Sequence, residues 1–184
     1  MTLPNAISAA RLLCVPASVW LILAGRLDLA FWVFVGAGLS DAVDGYVAKR
    51  LGQSTTIGRV LDPAADKALL VSVYLTLGVS GYLPAWLVSL VVLRDLLIVA
   101  GAMPAIRSGR AVALRPLAIS KVNTALQLAL AGLVLASRGL GFDDSGSIAG
   151  LGYVVAATTL ASGFAYLVKR GRRVASAGNP ESAP

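Results

Sequence analysis

Six apolar stretches, separated by glycine, proline or charged residues, fill almost the whole of this 184-residue chain. They run over approximately 5–25, 27–50, 58–80, 84–107, 117–138 and 147–169. Each has about the twenty residues a helix needs to cross the hydrocarbon core of a bilayer. With no water there to satisfy backbone N–H and C=O groups, such a stretch must bond internally, as a helix does. The expected fold class is therefore all-α: a polytopic membrane protein with six transmembrane helices. Hydrophobic residues make up 57% of the chain and charged residues only 14%, against about 25% charged in an ordinary soluble domain. Six spans leave room for one domain, residues 1–174, and for a small-residue tail, 175–184, expected to be disordered. No length remains for a soluble catalytic module, so any chemistry belongs to the helices.

Local signals refine the limits. The third stretch should end at Gly78 and the Ser80-Gly81 turn, and Pro84 suits the first turn of the fourth. The first stretch carries Asn5, Ser8 and Arg11 early, which suggests an interfacial start. No basic region precedes it, so neither a cleaved signal peptide nor an arginine-rich transit peptide is expected, which favours a bacterial cytoplasmic (inner) membrane.

Positive charge sets the orientation. Twelve of the sixteen basic residues fall on one side of the six-span scheme: Arg11; Lys49, Arg50 and Arg59; Arg107, Arg110, Arg115 and Lys121; and Lys169, Arg170, Arg172 and Arg173. The opposite side has Arg26 and Arg138, offset by Asp28, Asp143 and Asp144. Both termini are thus expected to be cytoplasmic. The net charge of +7 is mostly this topology signal. No stacking platform of aromatics accompanies it, so nucleic acid is not an expected partner. Trp20, Trp32 and Trp86 lie near expected helix ends and read as interfacial anchors, while Asp143 and Asp144 read as solvated loop residues. The single cysteine, Cys14, excludes an intrachain disulfide and reads as a small apolar helix residue. With no histidine in the chain, acid–base work falls to carboxylates, lysine or tyrosine.

The acidic residues are few and concentrated. Four of nine, Asp41, Asp44, Asp62 and Asp66, lie between positions 41 and 66. On a helix, Asp41, Asp44 and Ala48 share one face; on the next, Gly58, Asp62 and Asp66 share another. Two neighbouring antiparallel helices would bring the four carboxylates together. Such a group is costly near lipid unless compensated. Lys49, Arg50, Arg59 and Lys67 are close in sequence and offer one solution. Divalent cations offer a better one, because oxygen ligands without histidine or cysteine suit Mg²⁺ or Mn²⁺. Gly45 and Gly58 leave the helix backbone open to a nucleotide, or to a neighbouring helix.

The pattern Asp41-x-x-Asp44-Gly45-x-x-Ala48-Lys49, eight residues, Gly58-x-x-x-Asp62-x-x-x-Asp66 resembles the signature of the CDP-alcohol phosphotransferase family. One position departs from it: the signature arginine is Lys49, followed by Arg50, and either side chain could fill that role. The resemblance implies two divalent ions, Mg²⁺ or Mn²⁺, with Asp41, Asp44, Asp62 and Asp66 around them and Asp66 as the general base. It implies that Asn5, Gly45, Ala48, Lys49 and Gly58 hold the donor nucleotide. A lipid-linked CDP donor would bind, an acceptor hydroxyl would attack the phosphate on the lipid alcohol, and CMP would leave. From the residues alone, any of the four aspartates could be the base.

The resemblance continues outside the signature. Pro4-Asn5-Ala6-Ile7-Ser8 through Arg11 is similar to the opening of both phosphatidylglycerophosphate synthases and cardiolipin synthases. Arg94-Asp95 and the run Ile119-Ser120-Lys121-Val122-Asn123 through Gln127 resemble the cardiolipin synthases more. This implies CDP-diacylglycerol as donor and phosphatidylglycerol as acceptor, with glycerol 3-phosphate as the alternative acceptor, and a homodimer. Arg94, Arg115 and Lys121 are candidates for the acceptor phosphate, and Asn123 in place of a lysine suits a less charged acceptor. Arg94 and Asp95 leave their helix about 100° apart and need not satisfy each other. A prenyltransferase would need differently spaced aspartates, and a cation carrier would not explain the glycines.

Overall fold

The computed structural model describes the backbone of residues 3–51, 58–107, 118–142 and 144–177, and side chains within 13–40, 67–100, 119–142 and 144–168. Among the described residues there are six helices and no strand: α1 (Leu3–Leu23), α2 (Leu27–Leu51), α3 (Gly58–Val79), α4 (Ala85–Arg107), α5 (Ala118–Leu140) and α6 (Ser145–Ala177). Each lies within a few residues of an expected stretch, except that α6 runs on to Ala177. Residues 175–177, expected in a disordered tail, are helical; positions 178–184 lie outside the described residues.

Turn chemistry explains where α1 and α3 stop. Gly25 and Gly81 have φ of 72° and 77°, the left-handed conformation that costs glycine least. Arg26 N–H bonds to Leu21 C=O at 2.9 Å and Gly25 N–H to Ile22 C=O at 3.1 Å; Tyr82 to Leu77 and Gly81 to Gly78 repeat the pair at 2.9 and 3.1 Å. These are Schellman caps, which consume terminal carbonyls and reverse the chain at once. The α5–α6 turn also has a left-handed glycine, Gly141 at φ 77°, whose N–H bonds to Ser137 C=O at 3.2 Å, and the Ser137 hydroxyl adds a bond to Phe142 C=O at 2.7 Å.

The three turns share one end of the bundle. Trp86 at the start of α4 stacks on Tyr153 of α6, ring centroids 6.0 Å apart. A cleft of about 340 Å³ there is lined by Tyr82, Pro84, Trp86, Arg138, Ser145 and Tyr153. Gly139 of α5 meets the start of α2: a Cβ at this glycine would lie 2.5 Å from Asp28 N and 2.6 Å from Leu27 C. Backbone cannot yield as a side chain can, so Gly139→Ala is expected to cost about 1–3 kcal/mol from overpacking, more than the roughly 1 kcal/mol of helix propensity it gains. The check is a lower thermal midpoint in detergent. An unchanged or raised midpoint would contradict the close approach.

Around the bundle the helices form a closed ring in the order α1, α2, α5, α6, α4, α3, with α3 and α5 also touching across it. Tyr74 of α3 makes that crossing, its hydroxyl donating to Gln127 C=O of α5 at 3.0 Å. Among the described residues α1 packs against both α2 and α3; the expected approach of Asp41 and Asp44 to Asp62 and Asp66 falls on side chains outside the described residues.

Polarity is inverted relative to a soluble protein. Arg94, Asp95, Asn123 and Gln127 are at most 4% exposed, while Trp20, Val79 and Phe164 are 68%, 82% and 70% exposed. An apolar exterior on every helix is what lipid contact selects, and polar groups collect where neighbours satisfy them. Two helices, Ile119–Leu140 and Ser145–Val168, are long and apolar enough to cross a membrane; Leu13–Leu23, Leu27–Ser40 and Lys67–Val79 are shorter apolar segments among the described residues. Cys14 packs half-buried against the core, as a small apolar residue should.

Candidate active site and the polar layer beside it

Since the tight turns occupy one end, the opposite end collects the C-terminal parts of α2, α4 and α6 and the N-terminal parts of α1, α3 and α5. Asp41 and Asp44 fall in the C-terminal half of α2, and Asp62 and Asp66 in the first turns of α3. The fold thus carries all four signature aspartates to the same end, on helices that run in opposite directions. Gly45, Ala48, Lys49 and Arg50 follow on α2, and Gly58 opens α3. The side chains of all these residues and of Asn5, and Arg115 altogether, lie outside the described residues.

The layer next to this end is described in full. Lys67 follows Asp66 on α3, and its ammonium donates to Asp95 Oδ2 at 2.8 Å. Arg94 Nη1 donates to Asp95 Oδ1 at 2.6 Å. Arg94 Nη2 reaches Ser120 Oγ of α5 at 2.7 Å and Ser162 Oγ of α6 at 2.5 Å. Gly163 leaves space for the arginine stem, which would sit 3.8 Å from a Cβ there. One carboxylate and two cations therefore tie α3, α4, α5 and α6 together. Arg94 and Asp95 are each 4% exposed, whereas the Lys67 side chain is 34% exposed.

This corrects the expectation that Arg94 and Asp95 need not satisfy each other. Their Cα–Cβ vectors diverge, but the arginine stem is long enough to fold back and close the pair. Arg94 is consequently a buried residue whose two Nη atoms both bond to protein, while Nε has no partner. Lys121, the other described candidate for the acceptor phosphate, is exposed on the first turn of α5. Asn123 does not border an open site. It is fully buried, and its Oδ1 accepts the Thr158 and Thr159 hydroxyls of α6 at 2.8 and 2.9 Å.

Sequence reasoning missed Lys67, Ser120 and Ser162 as partners of the Arg94-Asp95 pair. The available signal was the rule that ionisable groups inside a membrane bundle find one another, which marks Lys67 and Asp95 as a possible pair without saying so uniquely.

The layer also bears on whether the aspartates suit a divalent ion. Of the four cations near them in sequence, Lys67 is already held by Asp95 and is not free to neutralise them. Four oxygen-only ligands gathered at one end, with their nearest described cation committed elsewhere, fit hard divalent ions.

Comparison with known proteins decides the family: its model, for CDP-alcohol phosphatidyltransferases, matches residues 1–165. The chain belongs to that family. Among relatives of this phosphatidyltransferase family member, a Schizosaccharomyces pombe protein named as a cardiolipin synthase (CMP-forming) and mitochondrial hydrolase fusion is 38% identical over 92% of the chain. A rice chloroplastic CDP-diacylglycerol–glycerol-3-phosphate 3-phosphatidyltransferase is 34% identical over 92%. A Mycobacterium tuberculosis putative cardiolipin synthase is 39% identical over 56%. The chain spans 31%, 58% and 50% of those proteins respectively.

Proposed function

We propose that this chain is an integral membrane phosphatidyltransferase of phospholipid synthesis. It transfers the phosphatidyl group of CDP-diacylglycerol to a hydroxyl of phosphatidylglycerol, giving cardiolipin and CMP. The observation that carries the reading is the family's aspartate pattern, brought by the fold to one end of the bundle on α2 and α3. The similarity of almost the whole chain to a cardiolipin synthase supports the acceptor. In this reading all six helices span the membrane with both termini cytoplasmic, as a homodimer in a bacterial cytoplasmic membrane. The apolar exterior and the one-sided basic residues support the first two points.

Two divalent ions, Mg²⁺ or Mn²⁺, would be held by Asp41, Asp44, Asp62 and Asp66 and would supply charge neutralisation at the pyrophosphate and at the leaving group. The protein's own groups do the rest. Gly45, Ala48 and Gly58 leave backbone room for the cytidine, with Asn5 and Lys49 or Arg50 beside it. Asp66 takes the proton of the acceptor hydroxyl as its oxygen bonds to the phosphorus carrying the diacylglycerol, and the bond to CMP breaks. Lys121, on the first turn of α5, and Arg115 draw in the acceptor phosphate. Arg94 contributes only by exchanging a serine partner for it.

The test offers the purified protein CDP-diacylglycerol and Mg²⁺ or Mn²⁺, with phosphatidylglycerol and glycerol 3-phosphate in parallel, and follows CMP and lipid product. Cardiolipin formed with phosphatidylglycerol alone is the expected result. Product with glycerol 3-phosphate alone would establish the second reading, phosphatidylglycerophosphate synthesis, which the rice relative favours. Release of CMP with neither would sink both. Asp66→Asn is expected to bind the donor at near-normal affinity without turning it over; loss of donor binding would make Asp66 a ligand and not the base.

A further inference from the structure

Lys67 lies one residue past Asp66 on α3, with its side chain 34% exposed at the border of the buried polar layer. A free ammonium at that point would pair with the nearest carboxylates. A divalent ion would then have to displace it, and metal affinity would fall. The structure holds the ammonium elsewhere. Asp95 reaches from α4 to take Lys67 Nζ at 2.8 Å, and Asp95 cannot turn away, because its second oxygen is gripped by Arg94 Nη1 at 2.6 Å. Arg94 is in turn fixed by Ser120 and Ser162. Beyond Lys67 the chain of contacts runs inward: Asp95, Arg94 and Ser162 are buried and Ser120 is part-buried.

We propose that Asp95 is a positioning residue for the aspartate site: it draws the Lys67 ammonium off Asp62 and Asp66 and pins the start of α3 to α4, so that those carboxylates stay available to a divalent cation. This rests on the reading of Asp62 and Asp66 as metal ligands given above.

The test measures Mn²⁺ binding directly, without substrate, by the loss of the free-ion paramagnetic resonance signal on titrating detergent-purified full-length protein. Asp95→Asn frees the ammonium and is expected to weaken Mn²⁺ binding about 10–100-fold, the range typical for residues that support metal ligands. Lys67→Met removes the competitor and should bind Mn²⁺ as the wild type does. Adding Lys67→Met to Asp95→Asn should restore most of the lost affinity, and Asp95→Glu should retain it. A merely structural Asp95 predicts the opposite for the double variant, which would be no better than Asp95→Asn. That result overturns the proposal, as does wild-type binding in Asp95→Asn or weakened binding in Lys67→Met alone. Should Asp95→Asn not survive purification, Lys67→Met and Asp95→Glu carry the test: normal binding in both supports it, and a loss in Lys67→Met overturns it. If the wild type itself binds no Mn²⁺, the metal reading fails first and this inference fails with it.

Discussion

Asp62→Asn is expected to abolish divalent-ion-dependent CMP release while leaving a folded protein. The aspartate sits where α3 begins, at the end of the bundle away from the tight turns. Asparagine keeps the shape and removes the charge. Losing one carboxylate from a site that neutralises a pyrophosphate forfeits several kcal/mol of transition-state stabilisation, on the order of a thousandfold or more in rate. Two measurements check it together: CMP release across a Mn²⁺ titration, and the thermal midpoint in detergent. Near-wild-type turnover would dismantle the metal assignment. Collapse of the midpoint would mean that Asp62 is structural.

Arg94→Met is expected to do the reverse, damaging the fold before the chemistry. The guanidinium is 4% exposed and joins α4 to α5 and α6 through two serines. Methionine fills the stem's volume but strands Ser120, Ser162 and one oxygen of Asp95 in a nearly dry layer. Breaking a buried ionic contact by removing one partner typically costs about 3–5 kcal/mol, which for a chain of this size lowers the midpoint by roughly 6–20 °C. Arg94→Lys should recover only part of this. A single ammonium can keep Asp95, but it lacks the planar fork that serves an aspartate and two serines at once. If Arg94→Met instead kept its midpoint and lost only affinity for the acceptor, the residue would be a phosphate ligand, as its sequence context suggested.

These contrasting expectations show which parts of the molecule could be read in advance. Helix number and limits were legible because lipid fixes the length of a span, and because glycine and proline mark the ends. The end of α6 escaped since hydropathy registers where lipid stops and not where the helix does. Lys169 to Arg173 leave the apolar run, yet they lie on an unbroken helix. The aspartate constellation was legible because its spacing repeats the period of a helix on two successive elements. Helix order around the ring was not, because lipid-facing and partner-facing positions are equally apolar and no amphipathic stripe tells them apart. The partners of Asn123 were not legible either: an amide in a helix gives no sign that two threonines on a neighbouring helix will bond to it.

The three short connections have a mechanical consequence. Residues 24–26, 80–84 and 141–144 tie α1 to α2, α3 to α4 and α5 to α6 at one end, and so few residues allow little separation between the helix ends they join. At the opposite end, the rim, longer segments join the rods: residues 52–57 run between α2 and α3, and 108–117 between α4 and α5. The aspartate-bearing parts of α2 and α3 lie there, away from the three short ties. In the proposed reading, a two-tailed lipid substrate would enter at the rim, where the connections restrain the helices least. The cross-brace from Lys67 to Ser162 stands between rim and base and joins α3, α4, α5 and α6 against that separation.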